Sequence, residues 1–301
     1  MEQIIIELLD VKIFILILTT IVFIVFIIKS YRYYSYPSYL NLHQFHRLYC
    51  QRADDKEKCP FIPIDMFHRC ENTHQYHTKS DLDCVSIYEY IQDFLCQNNE
   101  YINRSGPVCP FVPVAFKQKT IYFFISNDEY TNKTRFIQMI ERCKNDFLCK
   151  LQPVNATKSK LVYKCLLILI RSLNIPHNLI DEIQTELKPT FIIQHGLMFG
   201  EFHQSSNSNA IRNENFYPFR TRTPLLVIRY MVANDLIFLN QKQKYSVEVR
   251  LQMINKYLNL YHSGLLYRSK VEHLQSAHDI LAELNFSVKE SIVPITDIHL
   301  N

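Results

Sequence analysis

The ten residues Gln194–His203 (QHGLMFGEFH) hold the densest set of groups in this chain that could do chemistry. Only four glycines occur among 301 residues, and two of them, Gly196 and Gly200, stand here. Glycine is needed where φ turns positive or where a backbone must approach another group closely. Two histidines and a glutamate flank the pair. Glu201 and His203 are two apart, so on a strand they share a face. They could form an acid/base pair or ligate a metal, and His203 alone could be an axial ligand to haem iron. A bulged strand with a hydrogen-bonded histidine explains the same pattern without chemistry. Arg212, Arg220, Arg222 and Arg229 follow. Arg220 and Arg222 precede an apolar run and could hold propionates or an acidic substrate through paired hydrogen bonds. Surface ion pairing is the plainer reading.

A second cluster, Cys59, His68, Cys70, His74, His77 and Cys84, carries ligand types that zinc accepts, but lacks the paired CxxC spacing of a structural zinc site. A flexible, His-rich juxtamembrane segment is the plainer reading. Cys109 would need a base or a helix N-terminus to act as a nucleophile. Between Val108 and Pro110-Phe111, a packed thiol is the simpler reading. GxSxG, P-loop, GxGxxG and HExxH patterns are absent from the sequence.

The elements that must position these residues follow from periodicity. Residues 119–126 (KTIYFFIS), 161–170 (LVYKCLLILI), 190–193 and 224–232 (PLLVIRYMV) read as strands, the second apolar enough to be covered on both faces. Helical spacing marks about 80–96, 133–148, 178–187, 246–262 and 269–284. Ser80 with Asp83, and Ser269 with Glu272, form capping-box patterns, and Pro189 predicts a helix end. An α+β (or α/β) fold follows, a mixed sheet packed with about five helices. Residues 204–216 are a polar loop. The core domain is 101–301, and 31–100 is a juxtamembrane linker with a helical extension.

Residues 1–30 read as a membrane anchor. Ile13–Ile28 is uncharged and apolar throughout, and Lys12 and Lys29 can snorkel to the two interfaces. Tyrosines at 31, 33, 34 and 36 supply an aromatic belt. Glu2, Glu7 and Asp10 precede the run, which argues against a cleavable signal peptide. Lys29, Arg32, Arg47 and Arg52 follow it, so the positive-inside rule places the C-terminal domain in the cytosol. The expectation is a single-pass protein attached to the bilayer through about residues 11–29. Nine cysteines, an odd number, several of them in apolar patterns, suit a reducing compartment. A net charge of +4 without a basic block points away from nucleic acid.

The stretches GPVCPFVPVAF, GLMFGEFH and FRTRTPLLVIRYMVANDLIFL, over about 105–240, resemble an uncharacterised bacterial-type domain family with CPFVP, GLMxGEFH and PLLxIR motifs. More distantly, the chain resembles the YqcI/YcgG-type haem-dependent N-oxygenases. That resemblance implies an oxygenase acting on a small amine, with haem as cofactor; the anchor and the His/Cys-rich segment up to residue 100 depart from the family's pattern, so a membrane-anchored cytosolic form would be particular to this protein. His203 would stand at the iron, Glu201 beside it, and Arg212, Arg220 and Arg222 at the propionates. The alternative is a membrane-tethered, non-catalytic module that binds a small molecule or acidic group, or serves as an adaptor.

Overall fold

The run Cys165–Ile170 (CLLILI) has no polar face, so it is stable only where both sides are covered. The computed structural model gives it that place, as strand β3 at the centre of a five-stranded sheet. All six of its residues are buried. Residues 61–64, 79–130, 132–172, 175–266 and 269–292 are described, and they belong to the unit Pro60–Asn301. The expected span 11–29, residues 31–58, and Cys59, His68, Cys70, His74 and His77 lie outside the described residues. Among the described residues, no helix is long and apolar enough to cross a membrane.

The strands are β1 (Phe61–Pro63), β2 (Ile121–Ser126), β3, β4 (Leu197–Phe202) and β5 (Leu225–Tyr230). Their order is β1-β2-β3-β5-β4. Only β2 and β3 run parallel; every other neighbouring pair is antiparallel. The helices are α1 (Lys79–Glu89), α2 (Val112–Lys117), α3 (Lys133–Cys149), α4 (Lys158–Val162), α5 (His177–Thr190), α6 (Val247–His262) and α7 (Val271–Ile292). The five expected helices are present, and the short α2 and α4 add to them. The architecture is a mixed α+β fold.

Alternation along the strands sorts side chains to two faces. Leu166, Ile168, Phe199, Leu226 and Ile228 pack against α3 and α5 through Phe136, Ile140, Phe147, Ile180 and Ile183. On the other face Cys165, Leu167, Phe123 and Leu225 meet Ile87 and Ile91 of the α1 region and Val112 and Ala115 of α2. Cys84 is part of this core and 1% exposed, so the one described member of the His/Cys cluster is a packing residue. The α6–α7 hairpin closes a third cluster on Ile192, Met198 and Met231. Each large apolar side chain so buried contributes about 1.5–3 kcal/mol.

The structure corrects several sequence expectations. Residues 190–193 are helical, not a strand. α5 continues through Pro189 and widens into a π turn, Phe191–His195. Burial of Phe191 and Ile192 in two different clusters overrides the β-branched sequence. The strand begins at Leu197, so the glycine motif is itself β4. Residues 161–164 belong to α4 and the turn after it, not to β3. Neither expected capping box forms at its expected place. α1 starts at Lys79, and Asp83 instead accepts from the Thr223 hydroxyl at 3.0 Å. At the start of α7, His273 Nδ1 accepts from the Lys270 N–H at 3.0 Å.

Lys164 shows how a helix end is closed here. The residue is 1% exposed, and its amine donates to the carbonyls of Phe147 (2.5 Å) and Leu151 (2.8 Å), at the C-terminal end of α3. Burial pulls its pKa down to about 7. The carbonyl contacts and the Phe147 ring 4.4 Å away favour the cation.

Gly196 and Gly200 separate sharply. Gly196 has φ +66°, and a Cβ there would lie 2.9 Å from Leu260 Cδ1. Gly200 is ordinary strand, and its added Cβ would meet only the Phe202 ring at 3.9 Å. Gly196→Ala is therefore expected to cost about 1–2 kcal/mol of left-handed strain, plus whatever Leu260 must yield. Gly200→Ala should be neutral or stabilising by up to about 1 kcal/mol. Urea midpoints of the two variants check this, and the reverse ranking refutes the backbone assignment.

Candidate acid–base site

An edge strand leaves a row of backbone groups without a ladder partner. α5 lies along β4 and answers this directly: Gln184 donates to the Phe199 carbonyl at 2.9 Å. One residue past β4 the chain is held again, where the His203 N–H donates to the Phe219 carbonyl at 3.2 Å. This pins His203 against the first turns of α5.

The His203 side chain is fully buried, with both ring nitrogens engaged. Nε2 lies 2.8 Å from Asp181 Oδ1 and Nδ1 lies 3.3 Å from Ser205 Oγ. Ser205 Oγ is also 2.6 Å from His177 Nδ1, and the two imidazole centroids are 4.7 Å apart. Asp181–His203–Ser205–His177 is thus one hydrogen-bonded chain that leaves α5 at Asp181, passes through the exposed Ser205 and returns to α5 at His177. A carboxylate only accepts, so neutral His203 carries its proton on Nε2. Its Nδ1 then accepts from the serine hydroxyl, and His177 Nδ1–H donates to the serine oxygen. The pKa of His177 is lowered, first by burial and then by His203, against an opposing pull from Asp181.

Glu201 takes a different partner. It is 8% exposed and accepts from Ser208 Oγ at 2.9 Å. Lys188 is buried on α5 nearby, pulled down to about 8 by burial, with Glu201 the main opposing influence. The expected Glu201/His203 pair therefore splits between two networks, Glu201 within β4 and His203 one residue past its end. His195 lies at the other end of β4, in the π turn.

The arginines divide likewise. Arg220 Nε donates to the Ser206 carbonyl at 3.0 Å and its guanidinium lies 4.1 Å from the Tyr217 ring centre, placing a cation beside the serine loop. The side chains of Arg212 and Arg222 stand exposed. Arg229 grips Asp235 with two bonds of 2.6 Å, and Asp235 also accepts from the Val232 N–H at 2.8 Å. Burial opposes the Arg229 charge, but Asp235 outweighs it and the net shift is upward. Arg229 is a structural clamp.

Haem ligation asks for a ring nitrogen with a free lone pair facing an open slot. As placed, His203 offers neither, so the residues present do not fit that group. Among the described residues, no group of three or more His, Cys, Asp and Glu side chains could hold a metal ion. His177, Asp181, Ser205 and Ser208 are site residues that strand-and-glycine reasoning passes over. One signal was available: His177 and Asp181 are four apart on a helix, hence on one face.

The model of the family described as "Domain of unknown function (DUF6875)" matches residues 84–271, and the chain belongs to that family. This agrees with the expected membership of an uncharacterised family. No curated protein and no solved structure matches the chain.

The His177 shift has a definite sign. Its folded pKa lies below its unfolded value near 6.5. The unfolded chain therefore binds more protons in that window, and stability falls as pH drops through about 6.5. His203→Ala should raise the His177 pKa and Asp181→Asn should lower it further. Imidazole NMR titration of the full chain in detergent reads both shifts; movement in the opposite directions refutes the arrangement.

Proposed function

We propose that this member of the DUF6875 family is a membrane-tethered domain with a general-base site. In it His203, oriented by Asp181, activates the Ser205 hydroxyl. The reaction class is acyl transfer or hydrolysis on a small substrate. The observation that carries this reading is the fully buried His203 with a carboxylate on one nitrogen and an exposed serine on the other. The Ser205 oxygen attacks the acyl carbon and its proton passes to His203 Nδ1, forming an imidazolium that Asp181 stabilises. That proton then goes to the leaving group, and water repeats the sequence to free the serine. Arg220, tied to Ser206, suits a substrate bearing an acidic group.

The haem-dependent oxygenase reading, drawn from the likeness to YqcI/YcgG-type proteins, would require His203 to give up one of its two hydrogen bonds. It is therefore not the reading proposed, and a Soret band on haem addition that is lost in His203→Ala would overturn that choice.

A fluorophosphonate probe tests the serine directly. Ser205 is expected to be modified, as read by peptide mass spectrometry. The rate should fall by about 100-fold or more in His203→Ala, and labelling should vanish in Ser205→Ala. Labelling unchanged in His203→Ala, or none at Ser205, overturns the proposal.

The tether is proposed from the apolar run at 11–29 and the basic flank after it, which set the domain on the cytosolic side. Cys149 is exposed on the domain and serves as reporter. It should resist a membrane-impermeant maleimide in intact cells and react once they are permeabilised, and the protein should stay with membranes through carbonate washing. Labelling in intact cells contradicts the orientation; release by carbonate contradicts the anchor.

A further inference from the structure

The segment around Cys109 has no part in the proposed chemistry, yet it is held in an unusual way. Asn98 and Pro107 form an isolated antiparallel bridge. The Val108 N–H donates to the Gln97 carbonyl at 2.9 Å and the Cys109 N–H to the Leu95 carbonyl at 3.0 Å. These bonds fold the Cys109 segment back onto the end of the helical stretch that carries Cys96, and both cysteines pack against the same apolar cluster. Both thiols are free and half-buried, whereas Cys84, Cys143 and Cys165 are fully buried in packed cores. Burial and the neighbouring Cys109 push the Cys96 thiol up to about 11.

We propose that Cys96 and Cys109 are a reversible dithiol/disulfide pair, a modification site that locks the 97–108 loop. The oxidant class is a low-molecular-weight disulfide. Cys109 sulfur, as thiolate, attacks one sulfur of glutathione disulfide, and one glutathione thiolate leaves. Cys96 then loses its proton and its sulfur attacks the mixed disulfide at Cys109, expelling the second glutathione. Two protein thiols are oxidised by two electrons in total, and one glutathione disulfide is reduced to two glutathione molecules. Cys96, with its raised pKa, is the resolving thiol.

The loop so closed carries groups that reach the segment after the serine site. Asn103 Nδ2 donates to the Arg212 carbonyl at 2.9 Å, and Asn213 Nδ2 to the Tyr101 carbonyl at 2.7 Å. The Tyr101 ring stacks on Phe216 with centroids 5.8 Å apart. Oxidation therefore stiffens the 97–108 and 210–216 segments together.

The full chain, purified in detergent, is equilibrated with glutathione buffers of stepped redox ratio, alkylated and digested with trypsin. The expected product links peptides 80–104 and 105–117. It should be absent from Cys96→Ser and from Cys109→Ser and retained in Cys84→Ser, which separates Cys96 from the Cys84 on the same peptide. Hydrogen exchange at 97–108 and 210–216 should slow at least threefold on oxidation in the wild type and stay unchanged in Cys96→Ser. Two outcomes overturn the proposal: Cys96 and Cys109 both remain alkylatable while Cys149 oxidises, or Cys109 pairs elsewhere when Cys96 is present.

Discussion

The open edge of β4 is the constraint from which the site follows. A five-stranded sheet that is not a barrel has two edges, and an edge exposes backbone groups that seek partners. Here α5 lies along β4 and supplies Gln184 to one edge carbonyl. The same alignment brings Asp181 to the residue just beyond the strand. A side chain emerging there meets helix rather than water, and the residue present is a histidine. The site is thus a by-product of edge protection. The helix that covers the strand also provides the carboxylate that sets the tautomer of His203.

A second closure holds the opposite side of that hairpin. Arg229 leaves the other face of β5 and is satisfied by Asp235 and by the Phe111 ring, 4.7 Å from its guanidinium. Removing one partner of such a buried pair leaves a charge without compensation, which costs far more than the intact pair contributes. The Arg of PLLVIR and the Asp that follows it are therefore a unit. The phenylalanine of CPFVP covers them. The three stretches that stand out in the sequence meet across the β4–β5 region for reasons of packing, whatever chemistry the domain performs.

What the sequence reveals depends on whether the cause is local. β3 and β5 are legible because unbroken apolar runs have few places to go. α3 and α6 are legible because their apolar residues recur at helical spacing. Asn132 begins a sequon in the sequence, yet its side chain caps α3 by accepting from the Thr134 N–H at 2.8 Å. Residues 190–193 mislead because Ile192 and Ile193 favour strand locally, while the helix is extended by distant packing. Gly196 is correctly marked by its rarity, but Gly200 is not a strained position. The partner of His203 could not be read from the motif, since Asp181 stands far upstream and meets it only through the α5–β4 packing. Glu201, adjacent in the motif, turned out to belong to Ser208.

The strand order has a kinetic consequence. Among the described residues β4 touches no strand but β5, and β5 reaches the sheet by pairing with β3, from Cys165↔Arg229 to Leu169↔Leu225. A β4–β5 hairpin formed alone would carry its histidine into water. The loop-closure entropy of that long-range docking must be met before any contact rewards it, which makes it a slow step. Burial of His203 requires both joins, the docking of β5 on β3 and the packing of α5 along the edge that β4 leaves. A partly folded chain would display β2 and β3 with one long, apolar, unpaired flank. The acid–base site and the shielding of that flank come into being together.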